Sequence, residues 1–301
     1  MIKAIVNRYS EVKRKRLMYD PFYWRYILNL LPSLKFSINK PNLDDKQAAI
    51  LAKLNEDGIA IFPFDELFGE NTLYEELKAF YTLYQNEHAN EIEAQKRNRD
   101  SNKSYLHTIR EKYKVLDIDN PLLKVVLNNK LAGIVDSYLG LQSHFRYCDI
   151  WQTFVAEGAP VRSQNWHRDP EDLRLVKVFI YLSDVDETAG PFFYAKGSHT
   201  KGRNFKDPAW YKEEGRNANR SSDEDVEKII AKKDWLTATG KEGTVILADT
   251  RGLHKGGFAT HKERIMYNAM FVSPSSYFKP TFTIDAKCRP NELQRRALGI
   301  K

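Results

Sequence analysis

LRLVKVFIYL, residues 173–182, is a run of branched and aromatic side chains broken only by Arg174 and Lys177. Such a run favours an extended chain over a helix. Similar stretches lie on both sides of it. YCDIWQTFV (147–155) precedes it, and PFFY (191–194), TVILA (244–248) and RIMYNAMFV (264–272) follow, with turn signals between them. The N-terminal half reads differently. Helices are expected over Leu43–Glu56, ended by Gly58, over Asn71–His88, and over Pro121–Leu139, ended by Gly140. Ile59–Phe62 is expected as a short buried strand. Strands that follow a helical half predict an α+β protein, a β-barrel or sandwich flanked by helices.

The composition is that of a globular chain, with 42% hydrophobic and 29% charged residues. No apolar run approaches the roughly 20 residues needed to span a bilayer, and no secretory signal is read at the N-terminus. Cys148 and Cys288 suggest no disulfide framework, so reduced thiols in the cytoplasm are expected. The net charge of +7 is local: residues 1–40 hold nine of the 47 basic and two of the 40 acidic residues, leaving 38 of each elsewhere. The body of the chain has no basic motif that calls for nucleic acid.

Two stretches carry chemistry. In Trp166-His167-Arg168-Asp169, residues i and i+2 of an extended backbone face one way, so His167 and Asp169 can bind one metal. In Asp249-Thr250-Arg251-Gly252-Leu253-His254, a histidine follows a buried strand in a glycine-rich turn. Each alone is weak, since a surface His-x-Asp and a turn histidine are common. Together, two histidines and one carboxylate make the facial triad of non-haem iron(II) oxygenases. Three coordination positions stay open, enough for a chelating 2-oxo acid and dioxygen. The far carboxylate of 2-oxoglutarate then needs a fixed cation, and Arg264, ten residues after His254, supplies a bidentate fork.

With these residues in order, the chain resembles the phytanoyl-CoA dioxygenase-like family of Fe(II)- and 2-oxoglutarate-dependent oxygenases. YLSDVDETAGP (181–191), leading into KGSH (196–199), is similar to that family's turns, with Lys196 in place of the usual proline. The resemblance spans Leu43 to Pro274. It implies a double-stranded β-helix, or jelly roll, with the metal at its open end and His199 in a structural turn. It also implies a small-molecule substrate and hydroxylation with release of succinate and CO2, since halogenating relatives lack the carboxylate that Asp169 provides. By alternation Leu175, Lys177, Phe179 and Tyr181 line the barrel interior if Phe179 matches the family's inward aromatic residue. Lys177 would then pair with a carboxylate of 2-oxoglutarate or of the substrate, and Gln152 would be a further polar contact to the oxo acid. Gly256 stands where some members have a hydroxyl two residues after the distal histidine.

Two other readings use the same residues: a zinc hydrolase or lyase, which also accepts two histidines and an aspartate, and a non-catalytic binding module. Arg264 has no purpose in the first, and an intact triad argues against the second. Two segments fall outside the barrel pattern. Thr200–Lys241 is expected as an insertion with its own helix, with Ser221 and Glu224 at capping-box spacing before Val226, Ile229 and Ile230, forming part of the substrate entrance. Residues 1–40 are expected as a basic, aromatic extension before a barrel domain over 41–301. In it Asp20-Pro21 starts a helix over Phe22–Leu31 and Pro32 stops it. This extension either contacts a membrane surface peripherally or packs Phe22, Trp24, Ile27 and Leu31 against the barrel or a second subunit.

Overall fold

The computed structural model describes residues 17–69, 72–97, 105–208 and 220–300. Its strands are β1 (Ile59–Pro63), β2 (Leu106–Thr108), β3 (Val115–Leu116), β4 (His144–Thr153), β5 (Val176–Tyr181), β6 (Phe192–Ala195), β7 (Trp235–Ala238), β8 (Thr244–Ala248), β9 (His254–Gly256), β10 (Arg264–Val272) and β11 (Thr283–Ile284). An antiparallel sheet runs β1-β8-β5-β10-β4-β2, and a smaller one runs β7-β6-β9. An isolated bridge, His167 to His254, adds residue 167 beside β9. From β4 onward the chain passes back and forth between the two sheets, the winding of a double-stranded β-helix.

β5 explains why its sequence reads as a continuous apolar run. Val176, Val178 and Ile180 face the helices, in the core that also holds Leu77, Leu123 and Leu131. Phe179 and Tyr181 face the barrel interior with Ile246, Ala248, Phe192, Tyr194 and Met266. A strand buried on both faces has no polar side to show. At the ends of the helices local chemistry decides. Asp44 and Gln47 form a capping box before helix Asp45–Asp57, and Gly58 closes it at φ 79°.

Several boundaries differ from the sequence reading. Pro121–Leu139 is two helices, Pro121–Val126 and Asn129–Leu139, because the Asn128 side chain accepts from the amides of Lys130 and Leu131 and starts a new helix. Pro32 does not stop the N-terminal helix. The break falls at Asn29, and Pro32 sits in the first turn of helix Leu30–Ile38, where no amide donor is required. Asn29 is fully buried and spans the junction, donating to the Trp24 carbonyl and to Ser275 Oγ at 2.9 and 2.8 Å. The expected insertion over 200–241 is shorter, because β7 within it pairs with β6 as a barrel strand. Its helix is Asp223–Glu227, capped by Ser222 and not by Ser221. No helix among the described residues is long and apolar enough to cross a membrane.

Candidate metal centre and cofactor cavity

The bridge between His167 and His254 builds the site. The His167 amide donates to the His254 carbonyl at 2.8 Å, and the His254 amide returns the bond at 3.0 Å. The two imidazoles therefore lie side by side, with ring centroids 4.2 Å apart. Asp169, two residues further along an extended chain, points the same way, and its amide is held by the Thr250 carbonyl at 2.8 Å. Arg168 points the other way. It donates to the carbonyls of Ser198, Arg251 and Lys206 and pairs with Asp207 at 3.1 Å, clamping the loops behind the site.

Each histidine is fixed in one tautomer. His167 Nδ1 donates to the Asn165 carbonyl at 2.9 Å, and His254 Nδ1 donates to the Gly252 carbonyl at 3.0 Å. A carbonyl only accepts, so each Nδ1 carries the proton and each Nε2 offers a lone pair. Both Nε2 atoms lie 3.7 Å from an Asp169 oxygen. One donor atom from each of the three residues falls within 4.8 Å of the others, the only such group of three or more His, Cys, Asp or Glu among the described residues. Burial lowers the pKa of His254 to about 4 and that of His167 well below its usual value. Burial alone would raise that of Asp169, but the Lys177 charge and the two imidazoles outweigh it and hold the carboxyl well below its ordinary range. Neutral imidazoles beside a carboxylate form a ready-made donor set for a divalent ion.

The loop before His254 depends on close packing. An added Cβ at Gly252 would lie 1.9 Å from Tyr194 Oη, which donates to the Asp249 carbonyl at 2.8 Å. Gly252→Ala should therefore displace the carbonyl that orients His254. Overpacking of this kind costs about 1–3 kcal/mol. Denaturant unfolding of the metal-free protein should show a loss of that size together with weaker metal binding; wild-type values for both would remove this role from Gly252. The KGSH turn supports the same loop. Ser198 Oγ accepts from the Leu253 amide at 2.7 Å, and His199 turns away to the Asn55 carbonyl, as expected of a structural residue.

Beside the triad lies a cavity of about 60 Å³, with His167, Lys177, Phe179, Phe192, His254, Arg264 and Met266 in its wall. Arg264 is buried, donates to the Gly190 carbonyl and lies 3.4 Å from Thr153 Oγ1. Its Nε has no partner, and no carboxylate pairs with it among the described residues. Lys177 faces the interior as alternation requires. It pairs with Asp169 at 2.6 Å, so its charged partner is the chain's own carboxylate. Gln152 is a correction. It lies on the opposite face of β4, where its amide accepts from Tyr81 at 2.8 Å and donates to Glu263 at 2.6 Å, and it does not reach the cavity. Its neighbours Trp151 and Thr153 line the cavity instead.

Sequence reasoning missed Gln164, which is buried in the cavity wall. Its Oε1 is taken by the Val161 amide at 2.9 Å, while its Nε2 is buried without a partner among the described residues. It also missed Tyr105 and Ser163, whose hydroxyls meet at 3.1 Å at the cavity edge. Ser163 and Gln164 sit in a single 3-10 turn and Tyr105 precedes a three-residue strand, too little regular structure for a period to be read. The insertion packs next to the triad: Val226 and Ile230 are buried with Trp166 and Leu253, and Trp166 Nε1 donates to Asp223 at 2.7 Å.

A double-stranded β-helix holding two histidines and a carboxylate at one cavity is the architecture of 2-His-1-carboxylate oxygenases. The model of the phytanoyl-CoA dioxygenase family matches residues 55–266, and the chain belongs to that family of iron- and 2-oxoglutarate-dependent oxygenases. No curated protein matches it. Solved structures with the same fold include EctD from S. alaskensis with bound Fe (18% identity, 86% of this chain and 88% of that one, TM-score 0.53). The epimerase SnoN in complex with Fe3+, alpha ketoglutarate and nogalamycin RO is similar at 13% identity over 78% and 86% of the two chains, TM-score 0.51. The carbocyclase SnoK from nogalamycin biosynthesis is similar at 16% identity over 79% and 87%, TM-score 0.51.

Proposed function

We propose that His167, Asp169 and His254 hold iron(II), that Arg264 binds the far carboxylate of 2-oxoglutarate, and that the chain hydroxylates a small-molecule substrate with release of succinate and CO2. The observation that carries this reading is Arg264, a buried guanidinium with no acid partner among the described residues, in the wall of the cavity that His167 and His254 also line. A buried charge without a counter-charge is costly, so the site is built for an anionic ligand. The cavity also offers Gln164 Nε2 as a free donor and Thr153, Ser163 and Tyr105 as hydroxyls, which would make up for the missing hydroxyl at Gly256. Iron(II) would supply the site for dioxygen activation coupled to oxidation of the oxo acid. The residues' own tasks are separable: the imidazoles present fixed lone pairs, Lys177 neutralises Asp169, and the aromatic wall of Phe179 and Phe192 excludes water. The solved relatives named for epimerisation and ring closure show that the fold admits other outcomes, and Asp169 favours hydroxylation, desaturation or ring closure over halogenation.

Oxygen-dependent conversion of 2-oxoglutarate to succinate with added iron(II), absent with zinc, tests the reading. Turnover with zinc, or none with iron, would overturn it. Lys177 gives a second test. Lys177→Met should strengthen iron(II) binding, because an ammonium 2.6 Å from Asp169 competes with a cation for that carboxylate and repels it. Direct iron(II) titration reads this without turnover, and wild-type affinity would leave Lys177 with no part in the metal site.

A further inference from the structure

The segment from Leu17 to Lys40 has two faces. One is fixed to the barrel: Trp24 is buried and donates to Asp172 at 2.6 Å, Tyr19 donates to the Pro170 carbonyl, and Ser33 and Phe36 are buried. The other is open. Phe22, Tyr26, Ile27, Leu31, Leu34 and Ile38 are each between 49% and 79% exposed. Leu31, Leu34 and Ile38 recur at spacings of three and four residues within helix Leu30–Ile38, which places them on one side of it. The stripe continues into a groove of about 1020 Å³ between helices Leu30–Ile38 and Glu292–Leu298, whose lining includes Leu31, Lys35, Glu292, Leu293, Arg295 and Arg296, the last paired with Asp136 at 3.0 Å. Leu293 and Ile300 are also exposed there. Contiguous apolar surface of this kind, edged by cations, marks an interaction site.

We propose that this face docks the protein on an anionic lipid surface, with the apolar stripe at the headgroup boundary and Lys35 towards lipid phosphates. Charge selects this occupant. Residues 1–40 carry the net +7 of the chain, and the described part of that segment holds Arg25, Lys35 and Lys40 against Asp20 alone. Pairing with a second copy about a twofold axis would bring two such segments together and repel. Anionic lipid attracts the same charge at about 1 kcal/mol per basic residue near the surface. The helix Leu30–Ile38 has nine residues, and at about 1.5 Å per residue it is too short to cross a membrane and must lie along the surface. The docked face also shares an end of the barrel with the candidate metal centre, because Tyr19 and Trp24 are anchored at Pro170 and Asp172, directly after Asp169. A docked molecule would therefore present that end of the barrel to the lipid.

The test does not depend on turnover, so its failure would leave the iron and 2-oxoglutarate reading untouched. The full chain is sedimented with phosphatidylcholine vesicles, with and without phosphatidylglycerol. Binding only to vesicles that contain phosphatidylglycerol, lost as salt is raised, is expected. The Leu31→Ser, Leu34→Ser, Ile38→Ser variant should bind on the order of tenfold or more weakly with an unchanged melting temperature, since all three side chains are exposed. Lys35→Glu should also weaken binding, through charge alone. No binding to anionic vesicles at low salt, equal binding to neutral ones, or undiminished binding by both variants would overturn the proposal. So would a dimer that the triple variant dissociates, which would assign the face to a second copy.

Discussion

His167→Ala and His254→Ala should each reduce oxygen-dependent succinate formation to the level of an enzyme-free control. In each case the loss is of one of three donors held within 4.8 Å of one another, and no other His, Cys, Asp or Glu in the described residues completes the group. The backbone bridge between residues 167 and 254 involves only amides and carbonyls, so the fold should survive both substitutions. Asp169 needs a different design. Asp169→Ala strands Lys177, which lies 2.6 Å from the carboxylate in a buried site, and an uncompensated buried charge costs about 3–5 kcal/mol. A loss of activity in that variant would mix ligand loss with instability. The double variant Asp169→Ala, Lys177→Met removes both charges together. It should melt close to wild type and still form no succinate above the control. Iron(II) content after dialysis gives a second readout, expected to fall with activity. Wild-type turnover in any of these variants would exclude that residue as an essential ligand.

Arg264→Ala should raise the 2-oxoglutarate concentration needed for half-maximal turnover far more than it lowers the maximal rate. Truncating one partner of a buried, hydrogen-bonded charge pair costs about 2–5 kcal/mol, or roughly 30-fold to a few thousand-fold in affinity. The estimate applies because Arg264 is buried and already positioned by Gly190 and Thr153, so ligand binding need not order it. Arg264→Lys should recover only part of the loss, since an ammonium keeps the charge but not the fork. Iron(II) affinity in the absence of 2-oxoglutarate should be unchanged, because Arg264 is not among the metal donors. An apparent 2-oxoglutarate affinity equal to that of wild type in Arg264→Ala would remove the assignment.

The triad was legible because its signal is local and chemical. His167 and Asp169 share a face through a period of two, and His254 follows the buried strand β8 closely, at the start of β9. The parity of Lys177 on β5 was legible for the same reason. The parity of Gln152 was misjudged, and in a strand an error of one residue moves a side chain to the other face of the sheet. The helix break at Asn128 was a local cap that the sequence reading overlooked, whereas the strands β7 and β9 were hidden for another reason. They are short, and pairing with a neighbour, not propensity, makes them regular.

The sequence alone settled what each group can do: the donor types, the arginine fork, the strand-rich half, and the placing of all net charge in the first 40 residues. Tertiary structure decided which groups meet. It set Lys177 against Asp169, turned Gln152 towards Tyr81 and Glu263, and brought Gln164 into the cavity. It also split residues 17–40 into a buried face pinned by Trp24 and an open one led by Leu31 and Ile38. The physical reason is range. Residue chemistry and backbone alternation are fixed within a few positions of the chain, whereas the partner of a buried charge, or the face of a helix left uncovered, depends on elements far apart in sequence, as Tyr19 and Pro170 are at 151 residues.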